Sequence, residues 1–543
     1  MKKRMLALGM AFVMVALALA GCGNKDADTK KSGSDEKQLV VQIGPNPETI
    51  DPALNSAIDG GNMILHSFEC LLTVDQDGNI AAGQAEEWGP SEDGLTWTFN
   101  LRKGLKWSDG TDLTANDFVY SWKRVCDPAT AAPYAETVLS MVKGYDEAIA
   151  GNTDALAVRA EDDLTLVVEL SAPCTYFDSL AAFATLSPVQ QATIEKNGDS
   201  WATSAETYVS NGAFYVTEWV PDSHIIMSKN ENYWNKDAIK LDSIKFVLME
   251  DANAAYSAYQ NGEVMLIKDV PTEEIASLEG KSDFHVEPIT GTYYISLNLN
   301  NEKFADARVR KALSLAIDRE YVASTVMQGT YSAAYNFMGP GWVEADGVTD
   351  FMSNANGGNT YISDDYEANL AEAKKLLAEA GYPNGEGLSF TYSINDSGYH
   401  KPVAEYLQQA WADLGIDVEI EIVEWSSFTP MRRAGEYEAA RNGWVGDYPD
   451  ASNQLDLFYS SNGNNDGKFN KAAYDAAMDL ARTTTDAATR TAALHQAEDI
   501  LMEETGCIPL AYYNDFWLQS EKISGIWHSD TGYWYFMYAD IAE

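Results

Sequence analysis

Positive charge is scarce in this chain of 543 residues. Its 37 lysines and arginines face 82 aspartates and glutamates, which gives a formal net charge of −45. Nucleic acids and anionic lipid surfaces are bound through clusters of basic side chains. The composition therefore excludes both as direct partners of the folded protein.

Cysteine and histidine are also few, with five cysteines and six histidines. The cysteines are Cys22, Cys70, Cys126, Cys174 and Cys507, which lie far apart and form no Cys-x-x-Cys pair. This spacing supports neither a zinc site nor a redox motif. It leaves open whether the last four form one or two disulfides or remain free thiols.

The chain lacks the short motifs of common enzyme classes. It has no His-Glu-x-x-His spacing, no Gly-x-Ser-x-Gly elbow and no P-loop. Pairs of carboxylates, which a glycosidase requires, carry no weight in so acidic a chain. We therefore expect a protein that is not an enzyme and uses no cofactor or metal, with a surface hydrolase as the alternative.

An apolar run at the N-terminus predicts export. Three basic residues (2–4) precede the unbroken apolar residues 5–20, a run of signal-peptide length that is short for a membrane span. It ends in Leu-Ala-Gly-Cys at residues 19–22, the pattern of a lipobox. Residues 1–22 are thus predicted to be a lipoprotein signal peptide, with Cys22 receiving the lipid.

The residues that follow predict a tether. Residues 23–37 are polar, rich in Gly, Ser, Lys and Asp, and contain no large apolar side chain. Removal of the signal takes away three of the 37 basic residues and leaves 34 against 82 acidic ones, a net charge of −48. The protein is expected on the extracytoplasmic face of the membrane, attached by its lipid alone.

Periodicity in residues 38–543 predicts an α/β fold with more than one lobe, since this length exceeds one ordinary core. Residues 95–101 alternate strictly and predict a strand. Residues 63–72 are apolar enough for a core helix, and residues 365–380 have one apolar helical face that ends at Gly381. Residues 388–394, 403–414 and 416–423 predict a strand-helix-strand crossover.

A ligand site is predicted in residues 441–450, Arg-Asn-Gly-Trp-Val-Gly-Asp-Tyr-Pro-Asp. Asp447 lies among two glycines and the aromatics Trp444 and Tyr448, and no Lys or Arg occurs between Arg441 and Lys468. A buried carboxylate requires a cation. The cation for Asp447 would therefore come from a ligand, such as the α-amino group of a peptide. The alternative is a simple turn, because Gly, Asp and Pro are turn formers.

Residues 106–122, KWSDGTDLTANDFVYSW, closely resemble a signature of the extracellular solute-binding proteins that serve peptide, dipeptide and nickel ATP-binding-cassette importers. Other blocks follow in the order of that family: TIDP (49–52), NGAF (211–214), NENYW (230–234), FADARVRKA (304–312) and EAKKLLAEAGY (372–382). The order of Glu424-Trp425 and residues 441–447 is most similar to the oligopeptide-binding branch.

The resemblance implies a bilobal periplasmic-binding-protein-like flytrap with mixed sheets and an additional small domain, so three lobes in all. Lobe I would comprise residues 38–70, 197–296 and 515–543. Residues 71–196 would form the extra lobe II, and residues 297–514 would form lobe III with the ligand segment.

The resemblance also implies roles for single residues. Asp447 would pair with the α-amino group of an oligopeptide, aromatic residues would wall the cleft, and basic residues would lie near the far end of the peptide. The residues carried over are Asp447, Trp444, Val445, Trp425, Tyr134, Arg441 and His400. The family often adds a lysine after the helix that begins near Arg308, yet residues 320–341 contain no Lys or Arg.

The resemblance implies partners as well. These are an oligopeptide ligand and the permease subunits of an ABC transporter, and the protein is expected to be a monomer. Because aromatic residues also stack on sugar rings, an oligosaccharide-binding protein on the same fold is the other binding hypothesis.

Overall fold

The computed structural model describes residues 37–47, 49–347, 349–354, 361–363, 365–395, 398, 400–448 and 450–542, without the side chains of Asn354, Trp425 and Ser426. The predicted signal peptide, the lipidation site Cys22 and the tether up to residue 36 lie outside the described residues. Residues 37–543 cluster as one unit.

The strands are numbered in chain order. They are β1 (Gln38–Gln42), β2 (Leu72–Val74), β3 (Ile80–Ala82), β4 (Ala85–Pro90), β5 (Thr96–Leu101), β6 (Val158–Asp162), β7 (Thr165–Glu169), β8 (Phe214–Val220), β9 (His224–Lys229), β10 (Ser243–Val247), β11 (Leu266–Ile267), β12 (Phe284–Leu297), β13 (Ser332–Ala333), β14 (Ser389–Asn395), β15 (Asp417–Val423), β16 (Ala439–Val445), β17 (Ile508–Gln519), β18 (Ile523–Ser524), β19 (Trp527–His528), β20 (Trp534–Tyr535) and β21 (Asp540–Ile541).

The α-helices are numbered in the same way. They are α1 (Ile58–Ser67), α2 (Ala115–Cys126), α3 (Ala135–Leu139), α4 (Tyr145–Ile149), α5 (Phe177–Ala181), α6 (Gln191–Asn197), α7 (Ala252–Gln260), α8 (Ile275–Leu278), α9 (Ala307–Leu315), α10 (Arg319–Tyr321), α11 (Tyr366–Glu379), α12 (His400–Ala412), α13 (Trp425–Ala434), α14 (Ser452–Leu455), α15 (Ala472–Thr483) and α16 (Ala487–Glu503).

A mixed sheet of 11 strands lies at the centre of the fold. Its order is β15-β14-β16-β12-β17-β11-β1-β10-β9-β8, with β13 paired to β17. This confirms the predicted α/β class. β12 and β17 run antiparallel through the middle of the sheet, and their register shifts between Pro288 and Thr292. Irregularities of this kind bend a strand pair, so the two halves of the sheet meet at a bend.

The predicted strand-helix-strand crossover is confirmed by β14, α12 and β15, because the two strands pair in parallel. Helix α12 buries Val403, Leu407 and Trp411 completely, a spacing that puts all three on one helical face. β15 lies at the edge of the sheet, and its acidic residues are exposed on both sides of the buried Val418. Charges on an edge strand hinder pairing with another chain.

A second sheet of four strands, β4-β5-β7-β6, lies within residues 85–169. It contains β5, which confirms the predicted strand at residues 95–101. The adjacent helix α2 begins at a capping box, in which the backbone N–H of Thr114 donates to the Asp117 carboxylate at 2.8 Å. The helix buries Phe118 and Trp122 completely. Residues 106–122, which carry the resemblance to the family, therefore also form part of a core.

The predicted core helix at residues 63–72 was placed wrongly. Helix α1 covers Ile58–Ser67, and Leu72 begins β2. The helix includes Gly60 and Gly61. A Cβ added to Gly60 would lie 2.2 Å from the side-chain oxygen of Asn55, and one added to Gly61 would lie 2.6 Å from the Tyr533 ring. Gly60 thus packs closely against the residues just before the helix, and Gly61 packs against the C-terminal segment, so these contacts override the poor helix propensity of glycine.

The four described cysteines, at positions 70, 126, 174 and 507, are all free and buried. Of the two alternatives, disulfides or free thiols, the structure therefore has free thiols. Within the described residues, no group of side chains has the arrangement of a metal site. A search of the same residues finds no helix with the length and apolar character that crossing a membrane requires.

Candidate ligand-binding site

The predicted site segment, residues 441–450, begins inside strand β16 and includes the last five residues of that strand. This strand pairs with β12 along its full length, from Ala439 to Val445. On the other side β14 pairs only with Ala439 and Ala440. Among the strands of the described part of the chain, none pairs with the edge from Arg441 to Val445. Two side chains bond to this edge instead: Arg432 donates to the Arg441 carbonyl at 3.4 Å, and the side-chain oxygen of Asn442 accepts from the Gly443 N–H at 2.9 Å.

Two glycines of the segment admit aromatic side chains at close range. A Cβ added to Gly443 would lie 2.0 Å from the hydroxyl oxygen of Tyr513, and one added to Gly446 would lie 2.4 Å from the Trp342 ring. Real Cβ atoms do not approach other atoms so closely, so only glycine fits at either position. The glycines of the predicted motif therefore have a packing role.

Asp447 follows β16 after one residue, Gly446, and is half-buried. Its carboxylate accepts hydrogen bonds from the Tyr134 hydroxyl at 2.9 Å and from the Asn453 side-chain amide at 3.2 Å. Burial raises the pKa of Asp447 to about 6, against the smaller opposite effects of these two donors. No lysine or arginine of the described residues forms an ion pair with it, so the site provides a desolvated carboxylate with no cation of its own.

The residues that meet at Asp447 come from distant parts of the sequence. Tyr134 precedes α3, and its ring packs against Phe183 with the centroids 5.2 Å apart. Close by, Tyr176 stacks on Tyr448 at 5.4 Å, with 10° between the ring planes. Residues 71–196 and 297–514 therefore contact each other through the Tyr134–Asp447 hydrogen bond and the Tyr176–Tyr448 stack.

Trp444 and Val445 line the same region. The indole N–H of Trp444 donates to the Asn453 side-chain oxygen at 3.2 Å, and the ring borders a cavity of about 530 Å³. A Cβ added to Gly532 would lie 3.9 Å from Val445 and 3.3 Å from Ile58. The side chains of Val445 and Ile58 thus both lie close to Gly532.

Arg441 and His400 lie together around one tyrosine. The Arg441 guanidinium carbon is 5.4 Å from the centre of the Tyr293 ring, and Nδ1 of His400 is 3.2 Å from the Tyr293 hydroxyl. Burial, followed by the charge of Arg441, holds the pKa of His400 well below its usual value, so the ring is neutral near pH 7. Arg441 and Asp447 are six positions apart, which corresponds to ~20 Å in an extended chain.

Trp425 is the first residue of α13, directly after β15 and Glu424. Its side chain lies outside the described residues, so its role in the cleft stays a prediction.

Two residues that support the site, Asn453 and Arg490, have no signal in the sequence, whereas Asp450 lies in the predicted segment 441–450. The side-chain oxygen of Asn453 accepts from the backbone N–H of Asp447, and the side-chain amide of Asn453 donates to the Asp447 carboxylate. Asp450 accepts two hydrogen bonds from Arg490, at 2.7 and 2.8 Å, and both side chains are buried. These partners are separated by 6 and 40 residues, and no periodicity or motif links residues so spaced.

A model of the bacterial extracellular solute-binding proteins, family 5 Middle, matches residues 79–466. The oligopeptide-binding protein OppA of Bacillus subtilis (strain 168) is 34% identical over 552 residues, which covers 99% of this chain and 99% of that protein. A crystal structure of Haemophilus influenzae OppA in complex with RPPGFSPFR is 32% identical and superposes with a TM-score of 0.83, over 94% of this chain and 100% of that chain.

Two structures of a third relative differ in conformation. The murein tripeptide binding protein MppA of Escherichia coli superposes with a TM-score of 0.83 at 30% identity, over 94% of this chain and 99% of that chain. An unliganded open form of MppA, also 30% identical over 94% of this chain and 98% of that chain, gives a TM-score of 0.70. The comparisons confirm the flytrap fold, while the division into three lobes stays a prediction.

Proposed function

Because the chain belongs to the bacterial extracellular solute-binding proteins of family 5, we propose that it captures oligopeptides for an ABC importer. The relatives are named as binding proteins and not as enzymes. In the proposal, Asp447 pairs with the α-amino group of the peptide, and Arg441 and His400 lie toward its carboxyl end. The protein acts as a monomer, is anchored by the lipid on Cys22 and delivers its ligand to the permease subunits.

The observation that carries the proposal is the state of Asp447. A half-buried carboxylate with two neutral donors and no cation is matched by an ammonium group. The edge of β16 from Arg441 to Val445, which pairs with no described strand, also suits a peptide, because an extended peptide can add its backbone to such an edge where it replaces the side chains of Arg432 and Asn442. A sugar offers neither the cation nor the strand.

Native mass spectrometry of the purified protein tests the ligand class. We expect bound peptides, displaced by synthetic peptides but not by oligosaccharides, and stabilisation against heat by the same peptides. Bound sugars without peptides would favour the oligosaccharide alternative. Turnover of an added substrate without stable binding would favour a surface hydrolase.

The affinity for a free-amino peptide should depend on pH with two limbs. Pairing with an ammonium requires ionised Asp447, whose pKa is about 6, so binding should weaken below that pH by up to about tenfold per unit. Above ~8 the α-amino group loses its charge. Burial holds the pKa of His400 well below its usual value, so its ring stays neutral near pH 7 and the decrease near pH 6 is assigned to Asp447. Calorimetry at pH 5, 6, 7 and 8.5 measures both limbs, and equal affinities at pH 5 and pH 7 would contradict the role of Asp447.

The lipid anchor is tested separately. If residues 19–22 form a lipobox, Cys22→Ser should release the protein from the membrane fraction and leave peptide affinity unchanged. A single acyl chain holds a protein weakly, whereas the diacylglyceryl group supplies two. Retention of the variant in washed membranes would overturn this part of the proposal.

We also propose that lobes I and III are the two wings, joined through β12 and β17 at the bend near Pro288. Release of an enclosed ligand then requires rotation about this bend. A saturating peptide should reduce the radius of gyration in small-angle X-ray scattering. The same radius with and without peptide would count against closure.

A further inference from the structure

Thr290 lies in the irregular part of β12, where the register of this strand with β17 shifts. Its side chain is fully buried. Pro288 pairs with Asn514 and Thr292 pairs with Tyr512, and the register of these two strands assigns no β17 partner to residues 289–291. The backbone of Thr290 therefore bonds to other parts of the chain.

Three hydrogen bonds connect Thr290 to both sides of the bend. Its backbone N–H and its hydroxyl both donate to the carbonyl of Asp530, at 2.6 and 2.8 Å. Its own carbonyl accepts from the backbone N–H of Gly446 at 2.7 Å. Asp530 belongs to the C-terminal segment of predicted lobe I, whereas Gly446 directly precedes Asp447 in predicted lobe III. A continuous chain of hydrogen bonds thus runs from the C-terminal segment to the residue before Asp447.

The carbonyl of Asp530 belongs to a closed turn. The backbone N–H of Ser529 donates to the Tyr533 carbonyl, and that of Gly532 donates to the Ser529 carbonyl, both at 2.8 Å. The Tyr533 ring packs on α1, where a Cβ added to Gly61 would lie 2.6 Å from it. A turn braced in this way holds its carbonyl in a fixed position, so it can determine where Thr290 lies.

The methyl group of Thr290 faces the other side of the bend. A Cβ added to Gly341 would lie 2.6 Å from this methyl carbon. The φ of Gly341 is +89°, a conformation that favours glycine. The next residue, Trp342, fills the space beside Gly446 with its ring. The Thr290 side chain therefore contacts the lobe I turn through its hydroxyl and the support of Gly446 through its methyl.

We propose that Thr290 is a positioning residue for the recognition of the ligand's amino group, and that it aligns Asp447 with the C-terminal turn of lobe I. The inference rests on the proposed function, in which Asp447 pairs with that amino group. A charge-assisted hydrogen bond of this kind requires a separation of about 2.7–2.9 Å. A small shift of Gly446 relative to lobe I therefore weakens this bond, while contacts along the rest of the peptide remain.

Calorimetry with Ala-Ala-Ala-Ala and its N-acetylated form tests this role. The ratio of the two affinities measures recognition of the amino group separately from the other contacts. Thr290→Val keeps the shape of the side chain and removes the hydroxyl donor. We expect it to reduce this ratio about tenfold, while the acetylated peptide binds within about threefold of its wild-type affinity. Thr290→Ser keeps the donor and should retain the ratio within about threefold.

Another threonine provides the matched control. Thr330 is also buried, and its hydroxyl donates to the Met327 carbonyl at 2.6 Å. Thr330→Val removes a similar hydrogen bond elsewhere and should leave the ratio unchanged. A change of the ratio in Thr330→Val as large as that in Thr290→Val would show a general effect of lost stability and would overturn the role of Thr290.

A steric experiment tests the same role without removing the hydroxyl. Gly341→Ala places a methyl group against that of Thr290 and should also reduce the ratio about tenfold. Serine lacks the opposing methyl, so Thr290→Ser combined with Gly341→Ala should restore the ratio to within about threefold of wild type. Losses that simply add would indicate two independent effects and would overturn the proposal. This double variant decides the question even if Thr290→Val does not fold.

The remaining outcomes separate the two proposals. An unchanged ratio in Thr290→Val, or an equal loss of affinity for both peptides, would overturn the positioning role and leave peptide capture through Asp447 intact. If the wild-type protein itself binds both peptides equally well, the role of Asp447 fails, and the role of Thr290 fails with it.

Discussion

Replacing Asp447 with asparagine should weaken the binding of a free-amino peptide by roughly 30- to 3000-fold. In a closed cleft, removal of one member of a charge pair leaves the other desolvated and unpaired, at a cost of ~2–5 kcal/mol. At ~1.4 kcal/mol per factor of ten, that cost corresponds to this loss of affinity. Asparagine keeps the shape of the side chain and can still accept from Tyr134, so the change isolates the charge.

Acetylation of the peptide supplies the second half of this experiment. The acetylated peptide has no ammonium, so wild-type protein should bind it poorly and the variant should bind it about equally poorly. The double comparison separates the charge pair from packing. Asp237→Asn removes one negative charge from an exposed position and serves as the control for net charge. If Asp447→Asn binds both peptides as the wild type does, capture through an ammonium is refuted, and stacking on a sugar becomes the better hypothesis.

Replacing Arg490 with methionine should lower the free energy of unfolding by ~3–5 kcal/mol. The side chains of Arg490 and Asp450 are only 4% and 9% exposed, and they share two short hydrogen bonds. Loss of the guanidinium leaves a buried carboxylate without its cation, which is far more costly than loss of an exposed pair. Equilibrium urea unfolding, followed by tryptophan fluorescence, measures the change.

A second arginine serves as the matched control. Arg482 pairs with Asp456 at 2.7 Å, but these side chains are 34% and 23% exposed. Arg482→Met should therefore cost only ~1 kcal/mol or less. The double variant Asp450→Asn/Arg490→Met should recover part of the loss, because no charge then stays buried. Equal losses for Arg490→Met and Arg482→Met would show that burial does not decide the strength of these pairs. Asp450 also accepts hydrogen bonds from Ser452, the residue before Asn453, and Asn453 donates to Asp447. Arg490→Met should therefore weaken peptide binding too.

Local patterns predicted much of the fold. The crossover of β14, α12 and β15 follows from alternation in the strands and an apolar stripe on the helix, and the start of α2 follows from its capping residues. The prediction failed at residues 63–72, where both a helix and a strand can be apolar. In the structure the helix covers Ile58–Ser67, where Gly60 and Gly61 pack closely against Asn55 and Tyr533.

The sequence by itself determined the acidic character, the family blocks, the strands and helices with strong periodicity, and the position of Asp447 in a segment without basic residues. These properties depend on neighbouring residues and on composition. The tertiary structure alone decided that the four described cysteines remain unpaired, that Tyr134 and Asn453 donate to Asp447, and that Arg490 neutralises Asp450. Such pairs join residues separated by 6 to 313 positions. Their distances are set by how the sheet and its helices pack, which no local pattern encodes.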